Sequence, residues 1–148
     1  MSVALARKLN LLAVDDDPSI VRLLCNVVER RLGDRLAVHG ETDSERAKQW
    51  LAENCCDLLI SDLEMPGSGG LEMLRYAKGR NAWTQVIFIT AYSTWERISE
   101  AIEYGASDYL LKPIDQDELI DVLEQQYVRC ARWQRAVLGT LEADAQKW

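Results

Sequence analysis

The sequence predicts an α/β fold in three layers: a doubly wound parallel sheet with helices on both faces, extended by a long last helix. Three observations predict it. Short apolar runs alternate with longer amphipathic stretches along the whole chain. Several of the runs are nearly continuous in Leu, Ile, Val or Phe, the composition of strands covered on both faces. The amphipathic stretches carry helix start and stop signals at their ends.

The first strand is read over Leu9–Val14, after a tail at residues 1–8. Asp17 is placed to cap a helix that opens with Pro18 and stops at Gly33. The second strand is Arg35–His39, and Thr42 with Glu45 has capping-box spacing for the helix after it. The third strand is Asp57–Ser61. Gly69-Gly70 starts its helix weakly, Ser68 is the candidate cap, and Gly79 the stop. The fourth strand is Gln85–Thr90, followed by a helix opened by Ser93 and Glu96 and closed at Gly105. The fifth strand is Asp108–Leu111, and Asp115 with Glu118 opens the last helix. Strand-helix-strand units cross over right-handed, which sets helices on both faces of one sheet.

The chain has 148 residues, enough for one domain with its own core. Its formal net charge is −7, and no basic cluster offsets it, so this segment is not expected to bind nucleic acid or an anionic membrane. Cys25, Cys55, Cys56 and Cys130 form no C-x-x-C pair and read as reduced thiols of a cytoplasmic protein. No signal peptide or membrane-spanning run is expected.

Ligands of open parallel sheets bind beyond the carboxyl ends of the strands. There the first strand delivers Asp15, Asp16 and Asp17, the third Asp62, the fourth Thr90-Ala91 and the fifth Lys112-Pro113. Two unit charges ~4 Å apart at an effective dielectric near 20 repel by about 4 kcal/mol, so clustered carboxylates need a cation. All the ligands are oxygen, which suits Mg²⁺, with Mn²⁺ a second choice. Asp15 or Asp16, Asp62 and the backbone carbonyl of Glu64 are the candidate ligands. With the charge neutralised, Asp62 becomes a nucleophile toward a phosphoryl group. Lys112, the Thr90 hydroxyl and a backbone amide near Ala91 are then placed to bind its oxygens. Taken singly, each has an ordinary explanation: Asp17 is best read as a helix cap, a lysine before proline as a surface residue, a threonine closing a strand as structural. Their coincidence at successive strand ends is what points to chemistry.

Four segments carry a resemblance. Leu12-Ala-Val-Asp-Asp-Asp-Pro18, Leu59-Ile-Ser-Asp-Leu-Glu-Met-Pro-Gly67, Phe88-Ile-Thr-Ala91 and Gly105-Ala-Ser-Asp-Tyr-Leu-Leu-Lys-Pro113 resemble the receiver (CheY-like) domain of bacterial two-component response regulators. The likeness runs from about Leu9 to about Tyr127. It implies a flavodoxin-like fold with strand order 2-1-3-4-5. It implies Asp62 as the phosphoacceptor, and Asp15 and Asp16 as the acidic pair for Mg²⁺, Asp16 being the direct ligand. It implies Thr90 and Tyr109 as switch residues, Lys112 as the family's lysine, and a cis bond between Lys112 and Pro113. Where Gly69 stands, the family often has Asp, Asn or Ser. Glu64 and Tyr92 hold the positions that tune loss of the phosphoryl group, and Tyr92 is expected to shield the acyl phosphate. His39 reads as a strand residue and no nucleotide-binding loop is present. The donor is therefore another protein, a histidine kinase or histidine phosphotransfer protein.

The last helix is read from Gln116 past Leu141, roughly 26 residues or about 39 Å, well beyond what such a sheet needs. The domain is taken as 9–127 and the remainder, 128–148, as a helical extension. The extended part carries Tyr127, Cys130, Ala131, Trp133, Val137, Leu138 and Leu141, with Arg129, Arg132 and Arg135 between them. Apolar residues at this spacing require cover. A homodimer, a linker helix to an output domain, and folding back onto the domain are the three accounts.

Two other functions stand beside a phosphorylated signalling module with no turnover beyond its own phosphorylation and dephosphorylation. One is a degenerate receiver that binds partners without phosphorylation, against which the complete acidic site argues. The other is a haloacid-dehalogenase-like phosphatase, suggested by Asp15-x-Asp17, but the later acidic pair of that family is missing.

Overall fold

The computed structural model describes residues 7–67, 69–91 and 94–146. The elements alternate as expected: β1 (Leu9–Val14), α1 (Pro18–Leu32), β2 (Leu36–Glu41), α2 (Ser44–Glu53), β3 (Leu58–Asp62), α3 (Gly70–Arg80), β4 (Gln85–Thr90), α4 (Trp95–Glu103), β5 (Asp108–Leu111) and α5 (Gln116–Gln146). All strands are parallel, in the order β2-β1-β3-β4-β5.

The two faces of the sheet split the core in two. Leu9, Leu11, Ala13, Leu58, Ile60, Ile87 and Ile89 point to the side of α1 and α5. Leu12, Val14, Leu59, Val86 and Phe88 point to the side of α2, α3 and α4. Successive strand residues alternate faces, so a continuous apolar run feeds both half-cores at once.

Local signals placed most boundaries within a residue or two. β2 extends to Glu41, and β3 begins at Leu58 and takes in Asp62 as its last residue. Asp17 caps α1, its carboxylate accepting from the Ser19 amide. The α2 cap is Asp43 and not Thr42: Asp43 Oδ1 accepts from Glu45 N at 2.9 Å. The α4 cap is Thr94, which accepts from Arg97 N, while the expected Ser93 lies outside the described residues. In both cases two capping side chains stand side by side in sequence, and spacing alone chose the wrong one. Asp115 Oδ1 accepts from the amides of Asp117 and Glu118, as its spacing predicts. Gly79 does not stop α3, which runs through it to Arg80 because Met73, Leu74 and Ala77 are buried along the same helix. Gly105 does follow α4 in the left-handed region, at φ +92°.

The α3 start explains its glycines. Gly69 is the N-cap and makes no side-chain cap bond; Ser68 lies outside the described residues. A Cβ on Gly70 would sit 2.6 Å from Asp62 O, 2.8 Å from Leu63 Cα and 2.9 Å from Phe88 Cε1. Gly70 is therefore needed so that α3 can approach the end of β3, a reason invisible to helix propensity.

α5 is a single helix of 31 residues, about 46 Å long. Tyr127, Cys130 and Ala131, read from sequence as part of the overhang, are buried in the domain. Trp133, Val137, Leu138 and Leu141 beyond them are exposed. Among the described residues no helix is long and apolar enough to cross a membrane.

Replacing Gly70 by Ala should lower the unfolding free energy by about 1–3 kcal/mol, the usual cost of overpacking. Gly69→Ser, at an extended position whose nearest added contact is 3.9 Å away, should be neutral or slightly stabilising. Urea denaturation of both variants checks the contrast.

Candidate functional site

The site is assembled at the carboxyl edge of the sheet. Asp15 follows β1 and is fully buried. Its Oδ1 accepts from the Asp17 amide at 2.9 Å, and its Oδ2 lies 2.7 Å from Lys112 Nζ. Asp62, the last residue of β3, is also buried; its Oδ2 lies 3.2 Å from the same ammonium, and its Oδ1 accepts from the Glu64 amide at 3.1 Å. Lys112 thus bridges two carboxylates from neighbouring strands. Its amide donates to Thr90 O at 2.9 Å, which ties the lysine to the end of β4. The Lys112–Pro113 bond is cis.

Burial pulls the Lys112 ammonium toward a lower pKa, but hydrogen bonds and charge from Asp15 and Asp62 outweigh it, and the net shift is upward. A raised lysine pKa stabilises the fold below the ordinary lysine value and loses that contribution only as pH rises through the folded one. The Lys112 ammonium is therefore charged throughout the neutral range.

Ligand oxygens of Asp15, Asp16 and Asp62 lie within 4.8 Å of one another, and Asp16 is exposed. Three hard oxygen donors of net negative charge fit a small divalent cation. Asp17 stands outside this group as a cap: hydrogen bonds from Ser19, side chain first, hold its carboxyl below the usual carboxylate range.

Thr90 is buried at the end of β4, beside Asp62. Ala91 follows it, exposed, and Tyr92 lies outside the described residues. Tyr109 is half-buried on β5, packed against the half-core that contains Phe88, with its hydroxyl oxygen shielded from solvent. Arg97 was not singled out in sequence. It sits in the first turn of α4, and its guanidinium reaches Glu64 Oε1 at 3.2 Å, so the residue two after Asp62 is tied to α4. No local signal could have paired a residue of the loop after β3 with one in the first turn of α4.

Comparison with known proteins now decides the family. The family model described as response regulator receiver domain matches residues 11–124. The chain belongs to this family. Over 112 residues the receiver is 32% identical to the response regulator protein PilR of Pseudomonas aeruginosa, covering 76% of this chain and 24% of PilR. Over 113 residues it is 38% identical to the DNA-binding transcriptional regulator NtrC of Escherichia coli, covering 76% of this chain and 23% of NtrC. The receiver thus spans about a quarter of the length of these relatives. Among solved structures, the signal receiver domain of an HD domain-containing protein from Pseudomonas fluorescens Pf-5 superposes with a TM-score of 0.77 at 28% identity, covering 84% of this chain and 98% of that one. The chain is a response regulator receiver of the two-component type, a family whose standard function is phosphorylation on an aspartate.

Removing the shared cation isolates its contribution. In metal-free buffer Lys112→Ala should cost on the order of 3 kcal/mol, because it leaves the buried Asp15 carboxylate uncompensated. Asp16→Ala, at an exposed position, should stay within about 0.5 kcal/mol. Urea unfolding in the presence of a chelator measures both.

Proposed function

We propose that Asp62 is the phosphoacceptor, taking its phosphoryl group from a histidine kinase or histidine phosphotransfer protein in a two-component phosphorelay. The observation that carries the reading is the convergence of Asp15, Asp62 and Lys112 within ion-pair distance at the carboxyl edge of the sheet. Asp15, Asp16, Asp62 and the Glu64 carbonyl would hold Mg²⁺, or Mn²⁺ in its place. When bound, the ion would supply positive charge against the phosphoryl oxygens.

An Asp62 carboxylate oxygen forms the new P–O bond as the donor's P–N bond breaks. The departing imidazole nitrogen keeps the bonding electron pair and takes up a proton. Lys112, already paired to Asp62 Oδ2, is placed to follow the charge onto a phosphoryl oxygen. Thr90 and the amide near Ala91 bind the remaining oxygens, and Tyr92 shields the product from water. Thr90 then draws toward the phosphoryl group, and Tyr109 moves with it as the switch, so that the face of α4, β5 and α5 carries the signal to its partners. The chain acts as a signalling module and not as an enzyme of turnover. The reading places it in the cytoplasm, in keeping with four free cysteines.

Incubating the protein with a small acyl phosphate and Mg²⁺ and weighing it intact should show the gain of one phosphoryl group. The gain should vanish in Asp62→Ala and in the presence of a chelator. A phosphorylated Asp62→Ala protein would assign the acceptor elsewhere. An unmodified wild type would favour a degenerate receiver.

The exposed end of α5 supports a second element of the reading, a homodimer. Trp133, Val137 and Leu141 recur every four residues and so share one stripe, with Leu138 beside it. Trp133 and Val137 also border a cavity of about 280 Å³ with Ala82 and Trp83, a seat for an apolar side chain of a second copy. A linker helix alone would leave this stripe in water. Light scattering should give a dimer mass for the full chain and a monomer mass for the Leu138→Glu, Leu141→Glu double variant. A monomeric wild type would leave α5 as a linker toward an attached or separate output domain.

A further inference from the structure

At the opposite edge of the sheet stands a second buried carboxylate, which the site above does not use. Asp57 is fully buried and directly precedes β3. Its carboxylate receives donors from four residues in three separate stretches of the chain. Arg7, before β1, donates from Nη1 to Oδ2 at 2.9 Å and from Nη2 to Oδ1 at 3.2 Å. The Asn10 amide of β1 donates to Oδ2 at 2.8 Å. Trp83 Nε1, before β4, donates to Oδ1 at 3.3 Å. Gln134 Nε2 of α5 donates to Oδ1 at 2.6 Å. Gln134 Oε1 also accepts from Arg7 Nη2 at 3.3 Å, and Cys130 Sγ, one turn earlier, lies 3.7 Å from Asp57 O. The negative charge beside it, after burial, helps push the Cys130 thiol up to about 12, so this cysteine acts here as a packed group and not as a reactive one.

From this arrangement we infer that Asp57 is a latch that fixes the direction in which α5 leaves the domain, through Gln134. Apolar packing of α5 on the domain ends near Ala131, and the large side chains beyond it are exposed. Packing alone would therefore leave the end of the helix free to pivot. Gln134 lies one turn past the last buried residues, where a single attachment has most leverage. A buried carboxylate is a strong acceptor, since a charged hydrogen bond is about twice as strong as a neutral one. The same strand carries Asp57 before its first residue and Asp62 as its last, so the exit of α5 is held to the strand that bears the candidate acceptor. The latch rests on geometry alone and does not depend on phosphorylation.

Asp57→Asn is the direct variant, but it strips the partner from Arg7 and can unfold the domain. Gln134→Leu keeps the helix former and leaves Asp57 its Arg7, Asn10 and Trp83 donors. Hydrogen exchange of the full chain reads the outcome. In Gln134→Leu, amides of α5 around residues 131–138 should exchange about tenfold faster, the effect of losing one hydrogen bond to a charged group. Amides of β1, β3 and β4 and of the first turns of α5 should keep wild-type protection. Gln134→Glu, which sets a second carboxylate against Asp57, should loosen the same segment at least as much. Unchanged exchange over 131–138 in both variants would overturn the latch. A uniform loss across strands and helix would overturn it too, since that outcome makes Gln134 a general stabiliser and not a positioning residue.

Discussion

A carboxylate with no access to water has to be paired, and in this fold the pairing of Asp15 by Lys112 is the constraint from which the rest follows. Burying an isolated carboxylate costs several kcal/mol even after relaxation. The Lys112 ammonium, 2.7 Å from Asp15 and 3.2 Å from Asp62, compensates both. It can do so only because of the sheet order. β1 and β3 are neighbours, which sets Asp15 and Asp62 side by side, and β4 separates β3 from β5. Adjacent strands lie about 4.8 Å apart. Lys112 must therefore extend across the end of β4, past Thr90, to reach both acids. An order in which β3 did not neighbour β1 would part the two carboxylates.

The close quarters at this edge also set the shape of the helices around it. α3 begins against the Asp62 carbonyl with no room for a Cβ at Gly70. The loop after Asp62 is held by the Glu64 amide on Asp62 and by Arg97 on the Glu64 side chain. The second tie joins exposed groups, where an ion pair is worth ~1 kcal/mol or less. It is weaker than the Lys112 bridge, which is shielded from water.

Much of this was legible in sequence because the signals are local. Strands covered on both faces appear as apolar runs, and the chemistry of Asp15, Asp62, Thr90 and Lys112 sits at the ends of those runs, where ligands of parallel sheets bind. Locality also marks where the reading stopped. At the starts of α2 and α4, neighbouring residues compete to cap, and Asp43 and Thr94 win on backbone geometry that spacing does not encode. Gly70 looked like a weakness in a helix and is a requirement of packing. Arg97 meets Glu64 from the first turn of α4. Asp57 looked like the first residue of a strand, yet its partners lie 26 to 77 residues away in sequence. Such contacts carry no periodicity and exist only once the sheet has ordered the segments.

These long-range contacts bear on how a receiver with an extended helix can pass on a signal. β3 is short and entirely buried, with Asp62 closing it and Asp57 directly before it. The two residues are five positions apart, about 16 Å along an extended strand. Close-packed strands of this kind transmit strain and do not absorb it. A helix attached to the domain by apolar packing alone would report a change at Asp62 only through the face it covers. A helix pinned at Gln134 to the foot of the same strand has a fixed reference there, about which its exposed end would turn. The stripe from Trp133 to Leu141 lies at and beyond the pin, where a small rotation produces the largest displacement.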